Sequence, residues 1–288
     1  MKTHTFSIVV GTGACNFKCP YCVSKMTCQA AKKHDINWRR FDTACDVALQ
    51  ARDGLVNVII TGTGEPNLFP DDITSVLYRM RGRFPLVTLQ TNGSLLTEDS
   101  VKKWMQKGLT QVCISIAHSS WVLSNQIMGA PKGHTQYNVF NYWRTVEMIH
   151  DVGLAVRLNC TMTRDGVCMP DHAETLIDRC LQNGVEQLTF REVDRPNDPN
   201  GAPEVVEWVE DQKPHNAART LYHYLSMNGG KLLQTLPHGG TVHDYRGQNV
   251  CISNCLTDTA DPDDIRQIIF FPDGRISYDW KYIGARIL

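Results

Sequence analysis

The sequence predicts an α/β fold built around a parallel, barrel-like sheet. Three observations predict it. Short, continuously apolar, β-branched runs recur along the first two thirds of the chain. Longer amphipathic stretches separate them. Five of the six runs end in Gly or in a polar or charged residue. Strands buried on both faces of a parallel sheet read as continuous apolar runs, and helices fill the crossovers between them.

Six runs are predicted as strands: residues 5–11 (TFSIVVG), 55–61 (LVNVIIT), 85–90 (PLVTLQ), 111–117 (QVCISIA), 154–161 (LAVRLNCT) and 187–192 (QLTFRE). Helical patterns lie between them at 42–52, 71–80, 98–107, 138–152 and 171–183. Thr97 stands where the third helix needs an N-cap, and Gly108, Gly153 and Gly184 follow helices as C-terminal stop residues. Six such units in a row form a partial, TIM-like (β/α)6 barrel, assigned to residues 1–193.

The pattern changes at 194–203 (DRPNDPNGAP), so 194–214 is expected to be a linker or loop. A C-terminal capping segment, 215–288, follows. It is expected to hold a helix at 215–227, strands at 231–236 and 241–251, and a hairpin over 266–280 that turns at Pro272-Asp273-Gly274.

Composition excludes several classes. No apolar run approaches the roughly 20 residues of a membrane span. The N-terminal run has neither a basic leader nor a small-residue cleavage site, so a cytoplasmic location is expected. A formal net charge of -1 gives no electrostatic support for a nucleic-acid partner. The 11 cysteines, an odd number, argue for metal ligands and buried thiols over a disulfide framework.

The chemistry concentrates at Cys15-Asn-Phe-Lys-Cys19-Pro-Tyr-Cys22, in the loop after the first strand. Three thiolates in eight residues suit a [4Fe–4S] cubane, one sulfur on each of three irons, with the fourth iron left open. Other readings of these residues stay open. A zinc site would need a fourth ligand such as Cys28. A Cys19/Cys22 redox pair would leave Cys15 unexplained, and a ferredoxin would normally supply four cysteines.

The C-x3-C-x2-C spacing, with an aromatic before the last Cys, resembles the signature of the radical S-adenosylmethionine (SAM) superfamily. Thr61-Gly62-Thr63-Gly64-Glu65-Pro66 resembles that family's G-G-E-P motif, with Thr63 in place of the first Gly, and Thr91-Asn92-Gly93 closes the third strand as in many members. The resemblance covers roughly residues 5–193. It implies a cluster on Cys15, Cys19 and Cys22 and SAM contacts from Tyr21, Gly62, Gly64, Glu65, Asn92, Ser115 and Asn159. It also implies reductive cleavage of SAM to a 5′-deoxyadenosyl radical and a flavodoxin or ferredoxin as electron donor.

Each of these residues also has a plainer reading. Tyr21 can simply pack, and Glu65 can serve a helix N-terminus. Gly62 and Gly64 can merely make a turn, and Ser115 and Asn159 can bond to neighbouring protein groups. Active sites of β/α barrels gather at the C-terminal strand ends, and these residues recur there in nearly every unit.

Thr91, His118, Arg157 and Arg191 are the candidate substrate residues. Arg157 alternates with Asn159 and shares its face, so with Arg191 and His118 it would bind an anionic or carboxylate-bearing substrate inside the barrel. No residue is assigned a hydrogen-transfer role.

Near the C-terminus, Cys251-Ile-Ser-Asn-Cys255 and the hairpin after it resemble the twitch branch that includes the molybdenum-cofactor GTP cyclase. That resemblance implies an auxiliary cluster, with Asp279 standing where a third Cys would be. A second cluster, a zinc ion, or two structural thiols under a capping hairpin are the alternatives for Cys251, Cys255 and Asp279. The other cysteines (Cys28, Cys45, Cys113, Cys160, Cys168 and Cys180) read mostly as core residues, with Cys28 and Cys160 candidates to lie near the site.

The expected substrate is a small molecule such as a nucleotide, sugar or amino-acid derivative. A peptide or protein substrate is the alternative. An iron–sulfur electron carrier or zinc-stabilised binding protein is the rival outside enzymology.

Overall fold

The computed structural model describes residues 2–27, 31, 35–51, 56–131, 140–197, 201–256 and 264–288. Cys28, Arg52, Leu55 and Asn138, which figure in the expectations above, lie outside the described residues.

Six parallel strands form the centre of the sheet: β1 (Lys2–Val9), β2 (Asn57–Thr61), β3 (Leu86–Thr91), β4 (Gln111–Ile116), β5 (Ala155–Met162) and β6 (Gln187–Glu192). They pair in sequence order, as an unbroken series of β-α units requires. The sheet is curved and open rather than closed on itself, so it is a partial barrel.

The outward strand residues pack against a helix layer. This layer comprises α2 (Trp38–Gln50), α3 (Pro70–Met80), α4 (Glu98–Met105), α6 (Tyr142–Val152) and α7 (Pro170–Gln182), with the short α1 (Val23–Thr27) and α5 (Trp121–Ile127) placed among them. Helix α2 shows the logic. It buries Phe41, Ala44, Cys45 and Ala48, one stripe at helical spacing, against Phe270 and its neighbours.

Its start differs from expectation. Asn37, not Asp42, caps it, accepting a hydrogen bond from Arg40 N at 3.1 Å, while Asp42 pairs with Arg79 of α3 at 2.6 Å. Thr97 caps α4 in a reciprocal box with Ser100, and α6 ends on Gly153 in the left-handed region at φ 92°. Cys45, Cys113, Cys160 and Cys180 are buried in the core, and Cys168 is half-buried.

The C-terminal third departs further. Residues 194–214, expected as linker, contain α8 (Pro203–Gln212). Pro203 reads as a breaker in sequence, yet it occupies the first turn, where its missing N–H costs nothing. Helix α9 (Ala217–Met227) follows. The stretch 241–251, expected as one strand, is a hairpin of β8 (Thr241–Tyr245) and β9 (Gln248–Asn254). It turns at Arg246 and Gly247, both at positive φ.

β7 (Lys231–Thr235) adds to β8 on that side. β10 (Asp264–Phe270) and β11 (Ile276–Ser277) form the expected hairpin on the other. This segment does not sit over the barrel as a separate cap. β9 pairs parallel with β6 and β10 pairs parallel with β1, so eight parallel strands run side by side from β10 to β9. Unpaired edges of a six-strand sheet offer a row of free N–H and C=O groups, and these two strands satisfy them. Among the described residues, no helix is long and apolar enough to cross a membrane.

Candidate active site

Cys15, Cys19 and Cys22 lie in the loop leaving β1, and all three line a cavity of about 340 Å³ at the C-terminal ends of the strands. The loop is pinned from two sides. Glu65 N donates to Ala14 O at 2.9 Å, and Lys18 N donates to Gly129 O at 3.0 Å. Gly64 is required by close approach, because a Cβ there would meet Ala14 O at 2.0 Å. Burial pushes the Cys15 thiol above its usual value, partly offset by the Phe17 amide. Burial and the two neighbouring thiols push Cys19 up to about 12.

The arrangement fits a cluster better than a single ion. Among the described residues, no three His, Cys, Asp or Glu side chains converge tightly enough to hold one metal ion. A cubane asks less convergence, since each sulfur binds a different iron.

Glu65 lies 3% exposed on the opposite wall and caps the single 3-10 turn at Pro66–Leu68. Its Oε1 accepts from the Thr91 hydroxyl at 2.6 Å and from Asn67 N at 3.0 Å, and its Oε2 accepts from Asn92 N at 2.9 Å. The capping role is therefore real. A carboxylate offers about four acceptor sites, so Oε2 retains room for one further donor. Burial pushes this carboxyl above the usual range against the pull of those three bonds, and a cationic donor would reverse that.

The strands supply the rest. Gly62, Asn92, Ser115, Asn159 and Arg191 all line the same cavity, as does Thr91. Among the described residues, Asn159 Oδ1 and Arg191 Nε are buried without a hydrogen-bond partner, and so are polar atoms that a ligand would satisfy. Tyr21 is part of the wall, its ring 5.7 Å from that of Trp208 on α8. Burial holds its hydroxyl well above the ordinary phenol value.

Four expected site residues stand elsewhere. His118 does not reach the cavity. Its Nδ1 accepts from Ser120 N at 2.9 Å, and burial, then His172 and Arg179, hold its pKa down on the α7 side. Parity explains this, because Ser115 and Ala117 are separated by one residue of alternation and the chain turns outward after β4. Arg157 faces inward but lies below the cavity, its Nε 3.3 Å from Cys113 Sγ. Cys251 sits on β9 in register with Thr189, whereas Cys255 lines the cavity and its thiol donates to Arg191 O at 3.8 Å. Asp279 caps its own turn by accepting from Lys281 N. Cys251, Cys255 and Asp279 therefore do not form a three-ligand metal group among the described residues.

Several lining residues carried no expectation: Phe17, Lys25, Thr61, Met128, Thr161 and Asp194. Thr161 had a signal in its alternation with Arg157 and Asn159. The others reach the cavity through loop and helix packing, which spacing does not encode.

Comparison with known proteins agrees with this geometry. Residues 9–179, more than half of the chain, match the family model described as the Radical SAM superfamily. Curated proteins yield no match. Among solved structures, SuiB from Streptococcus suis bound to the precursor peptide SuiA is similar, with a TM-score of 0.65 at 15% identity over 98% of this chain and 61% of that one. His-tagged anSMEcpe with bound AdoMet gives 0.62 at 15% identity, covering 100% of this chain and 74% of that one. Methylornithine synthase (PylB) gives 0.51 at 10% identity, covering 92% and 78%. The chain spans about three fifths of the length of the SuiB chain. At these identities the likeness is one of fold.

Proposed function

Because the chain belongs to the radical SAM superfamily, we propose that it cleaves SAM reductively at a [4Fe–4S] cluster held by Cys15, Cys19 and Cys22, and acts on a small-molecule substrate. One observation carries the reading. Three thiols from one loop share a single cavity with a buried carboxylate that has one acceptor site to spare. When bound, a cluster on Cys15, Cys19 and Cys22 would supply the electron for breaking a SAM carbon–sulfur bond, the source of a hydrogen-abstracting 5′-deoxyadenosyl radical.

The chain's own residues have separable tasks. The Cys loop, anchored through Ala14 and Lys18, holds the metal ligands at the strand ends. Glu65 Oε2 accepts from the SAM ammonium while its other bonds keep it fixed. Ser115 and Asn159 offer hydrogen bonds to the remaining polar groups of SAM. Tyr21, backed by Trp208, closes one side and limits water entry. A flavodoxin or ferredoxin would deliver the electron.

The cavity volume, set inside the strand ends, supports a small substrate over an extended peptide. Anaerobic reconstitution with iron and sulfide, then incubation with SAM and dithionite, tests the reading. Formation of 5′-deoxyadenosine and methionine is expected. A fully loaded cluster that yields neither removes it. A peptide whose addition stimulates turnover, where nucleotides, sugars and amino acids do not, would replace the small-molecule assignment.

A further inference from the structure

The inner face of the barrel has an unusual charge pattern. On each of the eight parallel strands, odd or even alternation selects the inward residues, and hydrogen bonds verify the choice. Thr88 Oγ1 donates to Gln111 Oε1 at 3.1 Å, Gln111 Nε2 donates to Gln187 Oε1 at 3.3 Å, and Ser7 Oγ donates to Gln267 Oε1 at 3.2 Å. The lower interior is thus a layer of neutral amides and hydroxyls. Among the described residues, none of the inward strand positions carries Asp or Glu.

Arg157 and Arg191 stand on this face. Arg157 precedes Asn159, a lining residue of the cavity, by one inward step, and Arg191 lines the cavity itself. Arg157 Nε donates to the sulfur of Cys113, and among the described residues Arg191 Nε is buried with no acceptor. Both act on one group between them. The Cys251 thiol, raised by burial, is pulled back down by Arg191, Arg157 and Arg266 in that order. Asp194 shares the cavity with Arg191 but pairs with Lys213 at 2.7 Å, and among the described residues no inward strand position supplies a carboxylate to the two guanidinium groups, so a ligand's negative charge would offset the cost of their burial.

We propose that Arg157 and Arg191 form an oxyanion subsite inside the barrel, at the floor of the SAM cavity, that grips a carboxylate or phosphate group of the substrate. This rests on the small-molecule, SAM-cleaving reading above and gives its substrate a charge. Carboxylate and phosphate share the chemistry at issue: oxygens spaced to accept paired N–H bonds from a guanidinium fork. Arg157 stands one inward residue below Asn159 and Arg191, in register with Thr161, one above it, so an anion between them anchors one end of the substrate at the floor of the cavity. His118, displaced to the α7 side, takes no part.

The test measures binding on the cluster-loaded, full-length protein, kept anaerobic with saturating SAM so that SAM's own carboxylate does not occupy the arginines. Sodium phosphate and sodium acetate are titrated against sodium chloride at equal ionic strength, with melting temperature and calorimetry as readouts. At least one oxyanion is expected to bind and to raise Tm beyond chloride. Arg157→Gln and Arg191→Gln should each weaken it by about tenfold or more, the loss typical of one charge-assisted pair. Arg79→Gln, at a surface ion pair, should not.

Tighter phosphate assigns a phosphate monoester, and tighter acetate assigns a carboxylate. A wild-type measurement guards against unstable variants: the bound anion should slow iodoacetamide labelling of Cys251 but not of Cys168, read by peptide mass spectrometry. No oxyanion binding beyond chloride, or equal binding in both arginine variants, overturns the subsite. Because SAM turnover is not the readout, that result leaves the SAM-cleaving reading standing, and failed SAM cleavage leaves this measurement intact.

Discussion

The hydroxyl of Thr91 donates a 2.6 Å hydrogen bond to Oε1 of Glu65, which ties the end of β3 to the turn that follows β2. With Asn92 N on the other carboxylate oxygen, this bond sets where the carboxylate faces the cysteine loop. It joins a residue that holds structure to one that faces the cavity. Substitutions at Glu65 should therefore separate the two roles.

Glu65→Ala strands three buried donors, Thr91 Oγ1, Asn67 N and Asn92 N. The expected cost is about 2–5 kcal/mol of stability, read by urea denaturation. Glu65→Gln keeps an acceptor but removes the charge. It should stay folded and bind SAM about tenfold more weakly, measured by equilibrium dialysis of the loaded protein. Unchanged SAM affinity in the Gln variant would confine Glu65 to capping.

Gly64→Ala places a methyl group 2.0 Å from Ala14 O. Backbone, not a flexible side chain, is in the way, so the cysteine loop must move. Iron and sulfide incorporation should fall severalfold while the far-UV circular dichroism stays that of wild type. Full cluster incorporation would show that the loop tolerates displacement.

Val209 on α8 is buried with Met26 of α1 and Val193 at the end of β6. Val209→Ala should cost about 1–3 kcal/mol, two methyl groups of burial plus the residual cavity. Since α8 backs Tyr21 through Trp208, the wall near the cysteines should loosen, and amide exchange in residues 21–27 should quicken. Exchange that quickens only within α8 itself would uncouple the helix from the site.

His238 lies half-buried in the turn between β7 and β8. Burial, then Arg266, Arg191 and His4, lower its pKa to about 4. Its folded value is below its unfolded value near 6.5, so unfolding takes up a proton between those two pH values. Its contribution is thus present above about pH 6.5 and fades as pH falls toward 4. His238→Gln should lose less stability than wild type across that window, measured by parallel denaturation at each pH. Parallel curves would show that the histidine remains hydrated.

Much of this molecule was readable in its one-dimensional pattern. The six central strands were legible as short β-branched runs separated by amphipathic helical stretches, the alternation of a parallel sheet covered by helices. β6 falls on the expected 187–192. The cysteine spacing and the polar residues at strand ends were equally legible, since a ligand site must place its chemistry where the sheet stops. The expected contacts Tyr21, Gly62, Gly64, Glu65, Asn92, Ser115 and Asn159 all line one cavity.

The sequence by itself determined the order of the six central strands and the main helices between them, the cysteine loop and the alternation of inward polar residues, because these follow from local periodicity. Only the tertiary structure decided what closes the edges and where the charges meet. Short amphipathic strands such as β9 and β10 bear no mark of their partners, and pairing depends on which sheet edge lies free. His118 and Arg157 looked equivalent in the sequence. The outward turn after β4 and the inward face of β5 sent one away from the barrel and the other into it.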